Sequence, residues 1–226
     1  MSDAADVPFR LKLIPIAVAI ALGLGLPYVA AYAAYFSSKY LGTPSYYGPT
    51  LPWLYVQHGF QFFVALIAIW LVKRFQPFDA GLRLPPGKSY VLAAVLWGLF
   101  FGVLMTVADY MPDLLARHAP DIGFPLTPGN IAGWTIFEGV YVGPTEEILF
   151  RSLIVGYLIA AMPGTFRIGR YTMSWSGIIA AAIFALAHVV NLIQHPSWAS
   201  LSQQIYAFAL GVLYAYWFEK SKSVLA

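Results

Sequence analysis

Four side chains in this sequence have the types and spacing to activate water: Glu146, Glu147, Arg151 and His188. The first three lie inside an apolar run from about Ile131 to Met162, within Gly143-Pro144-Thr145-Glu146-Glu147-Ile148-Leu149-Phe150-Arg151. Charge inside a segment of hydrocarbon length is expensive and is kept for a function or for a partner. A carboxylate beside an imidazole can take a proton from water near neutral pH, and water so activated attacks an amide or ester carbonyl. Arg151 follows Glu147 by four residues on one helical face, so the two can pair. Glu146 points about 100° away and stays available as the base. Glu147 and Arg151 then form the scaffold that makes the charge tolerable.

The elements carrying these residues follow from composition. The chain is 60% hydrophobic and 10% charged over 226 residues, far from the roughly 25% charged of soluble domains. Its apolar residues fall in long blocks, which predicts an all-α fold: a polytopic transmembrane helical bundle in a single domain, 1–226. Six spans are expected: 13–36, 52–72, 90–108, 131–162, 174–194 and 201–218. Pro15 sits harmlessly in the first turn of span one, and Pro27 is expected to kink it. Asn130 is the expected N-cap of span four. A straight helix there would run roughly 48 Å against a ~30 Å hydrocarbon core, so Gly143-Pro144 predicts a kink or break. Tyr46 and Tyr47 are expected at interfacial depth. The sequence has no internal repeat, no low-complexity stretch and no evident cleavable leader.

Basic residues orient the bundle. Arg10, Lys12, Lys73, Arg74, Arg83, Lys88, Arg167, Arg170, Lys220 and Lys222 fall on one side, and only Lys39 and Arg117 on the other. That asymmetry predicts both termini in the cytoplasm of a multi-pass plasma (inner) membrane protein. The net charge of +3 is small and scattered, so it speaks for topology and against nucleic-acid binding. The chain has no cysteine, which excludes disulfide and thiolate chemistry.

Depth places the histidine. Glu146 lies ~24 Å from the cytoplasmic end of span four, and His188 ~21 Å into span five from the same side. A short loop joins these spans, so they are expected to be adjacent and antiparallel, with Glu146 and His188 sharing one water. Each residue also has a blander reading. Glu147–Arg151 could be a structural pair and His188 a packing histidine. Phe184, one turn before His188, reads as packing. Asn191, one turn after it, could orient the imidazole, donate to an oxyanion or solvate a helix end. Glu138 lines a polar cavity or sits near the outer interface. His58, His118 and His195 read as surface residues.

Glu146-Glu147-x-x-x-Arg151 followed by Phe184-x-x-x-His188 resembles the CPBP family of intramembrane endopeptidases, which includes the type II CAAX prenyl proteases and bacteriocin-linked bacterial relatives. The resemblance covers about residues 130–226. It implies a glutamate-dependent protease in which Glu146 and His188 activate water, with Glu147 and Arg151 completing the first motif. It implies a peptide or protein substrate, lipidated or not, met among membrane lipids. No cofactor is implied, and the sequence carries no zinc pattern such as HExxH. The family's further span, with His-x-x-x-Asn or a variant for the oxyanion, has no counterpart before the sequence stops after Ala226. Either the sequence is truncated or the protein lacks that motif. In the second case Asn191, Gln194 or a partner chain would supply donors, or the chain is an inactive relative acting as a membrane interaction or immunity protein. A transporter relaying protons through the same carboxylates is a third reading, weakened by the lack of inverted repeats.

Overall fold

The computed structural model describes residues 8–41, 50–87, 89–120 and 122–225. Tyr46, Tyr47, Lys88 and Asp121, to which the sequence assigned interface or loop positions, lie outside them. Helix α1 spans Leu13–Leu41, α2 Leu51–Phe75, α3 Val91–Asp109 and the short α4 Met111–Ala116. A segmented rod follows: α5 Pro128–Ile136, a π-helical stretch Phe137–Tyr141, α6 Val142–Glu147, a second π-helical stretch Ile148–Val155, and α7 Gly156–Ala161. Two short strands, β1 Thr165–Ile168 and β2 Tyr171–Ser174, precede α8 Trp175–Gln194 and α9 Trp198–Ser221. Helices α1, α2, α3 and α8 are each long and apolar enough to cross a membrane.

The fold is all-α apart from the hairpin, and the chain is an integral membrane protein. Two expectations are corrected. The segment 163–173, read as a loop, contains an antiparallel pair with Thr165 opposite Ser174 and Ile168 opposite Tyr171. Its two-residue turn is Gly169-Arg170, and Gly169 adopts φ +57°, a conformation that costs glycine nothing. The N-cap of the rod is Thr127, not Asn130: Thr127 Oγ1 accepts from Asn130 N–H at 3.3 Å, and Pro128 follows at the first turn. Asn130 instead donates its side-chain amide to Pro125 O. Around Pro144 the rod is interrupted in a specific way: it continues as helix, but in alternating α and π segments. The π stretch just before it carries Val142 N–H to Phe137 O, one residue further than an α-turn, and this wider register absorbs the missing donor at Pro144.

The second π stretch is the axis of the molecule. All eight residues of Ile148–Val155 are buried, surrounded by α1, α2, α8 and α9. Helices have no hydrophobic drive to associate in lipid, so close approach depends on small residues. Ala207, Gly211 and Ala215 make such a stripe on α9, all buried. A Cβ at Gly211 would stand 3.0 Å from Ala181 Cα, and one at Gly177 would stand 2.6 Å from Glu219 Oε1. On the opposite flank, a Cβ at Gly23 of α1 would meet Ile183 of α8 at 2.7 Å. Helix α3 has no buried residue and leans only on the rim of this assembly.

Polar side chains close the ends. Ser174 Oγ accepts from Gly177 N–H at 2.8 Å, capping α8, and donates to Glu219 Oε1 at 2.6 Å; Ser174 N–H donates to Glu219 Oε2. The carboxylate of α9 thus sits at the positive end of α8. Lys12 Nζ donates to Ala161 O at 2.7 Å, satisfying an orphan carbonyl where α7 ends.

Candidate active site

Arg151 is the pivot of the polar cluster, and the second π stretch puts it in the centre of the bundle. Its side chain is 2% exposed, and Nη1 stands 3.2 Å from Glu147 Oε1, whose side chain is 25% exposed. The guanidinium lies between two rings, 4.6 Å from the Phe184 centroid on α8 and 5.1 Å from the Tyr214 centroid on α9. Planar, weakly hydrated guanidinium suits such a slot as an ammonium does not. Among the described residues, Arg151 Nη1 has its ion pair with Glu147 but no well-aligned hydrogen bond, and Nη2, Ser152 Oγ and Gln204 Oε1 are buried without a hydrogen-bond partner. A buried guanidinium nitrogen without a hydrogen-bond partner is unusual enough to call for water or ligand beside Arg151.

His188 stands one turn beyond Phe184 on α8, half-buried, its ring 4.8 Å from the Phe184 ring at 78°. Phe184 is itself edge-on to Phe150 at 4.7 Å, so the imidazole is held by packing that reaches back to the rod. Its Nδ1 lies 2.9 Å from Phe184 O. A carbonyl oxygen only accepts, so Nδ1 carries a proton, and in its neutral form the ring presents the Nε2 lone pair. Gln204 of α9 donates Nε2–H to His188 O at 3.1 Å, tying this turn of α8 to α9.

Arg151 interacts electrostatically with Glu146 and Glu147 on its own rod and with His188 on α8. Of the other three residues singled out by the sequence, Glu147 is in direct contact with the guanidinium, and Glu146 and His188 lie within electrostatic range of it. Glu146 is half-buried and also lies within electrostatic range of Glu138, two turns earlier and exposed. Asn191 is not part of the cluster: it is exposed and donates Nδ2–H to Gln203 Oε1 at 2.9 Å. His58, read as a surface residue, is instead half-buried, with Nδ1 3.0 Å from Leu54 O and its ring edge-on to Phe137 at 5.0 Å. Among the described residues no three His, Asp or Glu side chains converge as metal ligands would.

Two cavities reach the cluster. One of about 400 Å³ is bounded by Gly143, Pro144, Glu147 and Ile148 of the rod, by Leu82, and by Val224 and Leu225 after α9. The other, about 220 Å³, touches Gly143 and Glu147 again and adds Tyr214, Trp217 and Ser223. Both open beside Glu147; Glu146 borders neither. The backbone after α9 is held over this region by Val224 N–H donating to Gly81 O at 2.9 Å and Ser223 Oγ donating to Arg83 O.

Residues 128–226 match the family described as type II CAAX prenyl endopeptidase, Rce1-like. The similarity to that family covers this part of the chain, 99 of its 226 residues. The match starts at the first residue of α5, so it takes in the segmented rod, the hairpin, α8 and α9, which together carry Glu146, Glu147, Arg151 and His188. No curated protein and no solved structure gives a significant match. Tyr214 and Gln204 were not identified from the sequence. Both come from α9, outside the two motifs, and their only signal was spacing: Gln204, Ala207, Gly211 and Tyr214 recur at intervals of three and four, marking one helical face.

Proposed function

We propose that this protein is an intramembrane endopeptidase in which Glu146 and His188 activate one water between the rod and α8. The proposal assigns Glu146 the proton and His188 Nε2 the second hydrogen bond to that water. The water oxygen bonds to the amide carbon as its proton passes to Glu146. The same proton is then delivered to the leaving nitrogen as the C–N bond breaks, yielding a carboxylic acid and an amine. Glu147 and Arg151 hold each other and keep a positive charge beside the reacting carboxylate. The substrate is a peptide or protein segment, and the cavities beside Glu147 are where its chain would lie. The topology that goes with this reading has six spans, the segmented rod and α9 being the fourth and sixth, with both termini cytoplasmic in the plasma membrane.

The single observation that carries the reading is the shared guanidinium: Arg151 interacts with Glu146 on one element and with His188 on the next, in a stretch that matches a peptidase family. The test is cleavage of candidate peptides in proteoliposomes. Wild type should cut, and Glu146→Ala and His188→Ala should each fall by about 10²-fold or more, the usual contribution of a positioned acid–base group. Cleavage retained in both variants would remove the mechanism.

A further inference from the structure

A cavity larger than either of those beside Glu147 lies elsewhere, and nothing in the peptidase reading uses it. It is a groove of about 930 Å³ between α3 and α9, floored by the hairpin, at the upper end of ligand-site volumes. Leu92 and Leu96 of α3 face Val212 and Leu213 of α9 across it, and Ile168 of the hairpin closes one end. Leu92, Leu96 and Ile168 are 72%, 58% and 63% exposed, so the groove opens sideways to the surroundings of the bundle. An apolar groove on a membrane-spanning surface is filled by hydrocarbon, because a void forfeits dispersion contacts and water has no partners there.

Its mouth has a different chemistry. Tyr171 and Tyr216 both line the groove, with ring centroids 6.0 Å apart, and each carries a cation. Arg170 donates Nη2–H to Tyr171 Oη at 3.0 Å and lies 5.2 Å from the ring centroid. Lys220 Nζ lies 5.4 Å from the Tyr216 centroid. Arg167 and Lys222 add two more positive charges at this end of the bundle, both exposed. The one acid beside them, Glu219, has its carboxylate occupied by Ser174. Among the described residues, the ion pairs in direct contact are Arg83–Asp79 and Arg151–Glu147; Lys220 and Lys222 feel the Glu219 carboxylate only at longer range, and with Arg167 and Arg170 the cations at this end outnumber it.

We propose that the α3–α9 groove is a binding site for an anionic phospholipid, an acyl chain lying between the two helices and the phosphate between Arg170 and Lys220. Charge complementarity selects the headgroup and the apolar walls hold the tail; cations at the membrane surface attract anionic lipid in this way. Trp217 makes the site more than a peripheral one. It lines both this groove and the smaller cavity at Glu147, and stacks between Tyr90 at 6.4 Å and Tyr214 at 5.6 Å, the ring that covers Arg151.

The full chain in detergent, titrated with dioleoyl phosphatidylglycerol or dioleoyl phosphatidylcholine and read by native mass spectrometry, tests this. Wild type should retain one phosphatidylglycerol at a concentration about tenfold or more below that for phosphatidylcholine, as two surface cations warrant. R170Q/K220Q should lose that preference while eluting as a monodisperse species, since both side chains are exposed. Leu96→Trp, which fills the groove from its open side, should weaken retention of both lipids. Equal retention of the two lipids by wild type, or a preference that survives in R170Q/K220Q, would overturn the proposal. So would displacement of the bound lipid by inorganic phosphate alone, which would mean a headgroup site without a tail. Stronger retention of a farnesylated peptide in the same groove would overturn it too, by naming a different occupant. No outcome depends on peptidase activity, so this inference and the proposed function fail separately.

Discussion

Removing the guanidinium of Arg151 should cost more than any other single truncation in the bundle, and a second change should give most of it back. Arg151→Met keeps length and apolar bulk but strands the Glu147 carboxylate, whose partner was 3.2 Å away and 2% exposed. Breaking a buried pair costs about 3–5 kcal/mol. Glu147 is 25% exposed and recovers some solvation, which puts the electrostatic part near the lower end, about 3 kcal/mol. Losing the contacts with Phe184 and Tyr214 adds about 1 kcal/mol. Glu147→Gln/Arg151→Met removes both charges, and its loss should shrink to about 1–2 kcal/mol, because a matched apolar or neutral replacement of a buried pair is close to neutral. The assay is SDS-induced unfolding in mixed micelles, followed by tryptophan fluorescence and analysed as a double-mutant cycle. Since a loss of about 4 kcal/mol in Arg151→Met falls to about 1–2 in the double variant, a coupling of at least about 2 kcal/mol is expected. Additive losses in the two single variants, or an Arg151→Met protein as stable as wild type, would refute the idea that this pair anchors the core.

Gly211→Leu should separate α8 from α9, since even a Cβ there stands 3.0 Å from Ala181; lower SDS resistance and loss of any peptide cleavage are expected, and a variant as stable as wild type would contradict the packing. Gly156→Ala should destabilise by at least 1 kcal/mol, about the lower range for overpacking, because its Cβ would meet Asp79 O at 2.7 Å; the same unfolding assay reads it. Glu219→Ala should lower stability by about 1–2 kcal/mol, the size of a lost cap with a charged partner, and raise amide exchange in the first turn of α8, where Ser174 loses its acceptor. Tyr214→Phe should leave stability and cleavage nearly unchanged, because the ring over Arg151 remains, whereas Tyr214→Leu should impair both.

Apolar blocks bounded by cations were enough to place most helices. Span one was expected to start at Leu13 and span five to end at Gln194, and α1 and α8 do so. Helix α9 begins at Trp198 rather than Leu201 because Ser197 Oγ accepts from Ser200 N–H, a cap that hydropathy does not register. The hairpin was missed for the opposite reason. Thr165-Phe166-Arg167-Ile168 and Tyr171-Thr172-Met173-Ser174 are rich in β-branched and aromatic residues around Gly169, a strand signal, but their short length and two arginines read as a loop. The π stretches have no sequence signature beyond Pro144, since what changes is the register of backbone hydrogen bonds and not the side chains. At the site, Glu146, Glu147, Arg151 and His188 were legible because ionisable residues stand out against hydrocarbon. The aromatic slot was not. Tyr214 looks like any interfacial tyrosine until α9 folds back along α8 and sets its ring over the guanidinium.

The absence of cysteine makes the decisive measurement a clean one. Glu146→Cys and His188→Cys introduced together, and treated in membranes with a short bifunctional methanethiosulfonate, report directly whether these two positions face each other across one water. Asn191→Cys/Gln203→Cys, at a pair joined by a 2.9 Å hydrogen bond, serves as the positive control. The account predicts an efficient intramolecular cross-link between positions 146 and 188. A control that links while the 146/188 pair does not would contradict it, and with it the proposed peptidase mechanism.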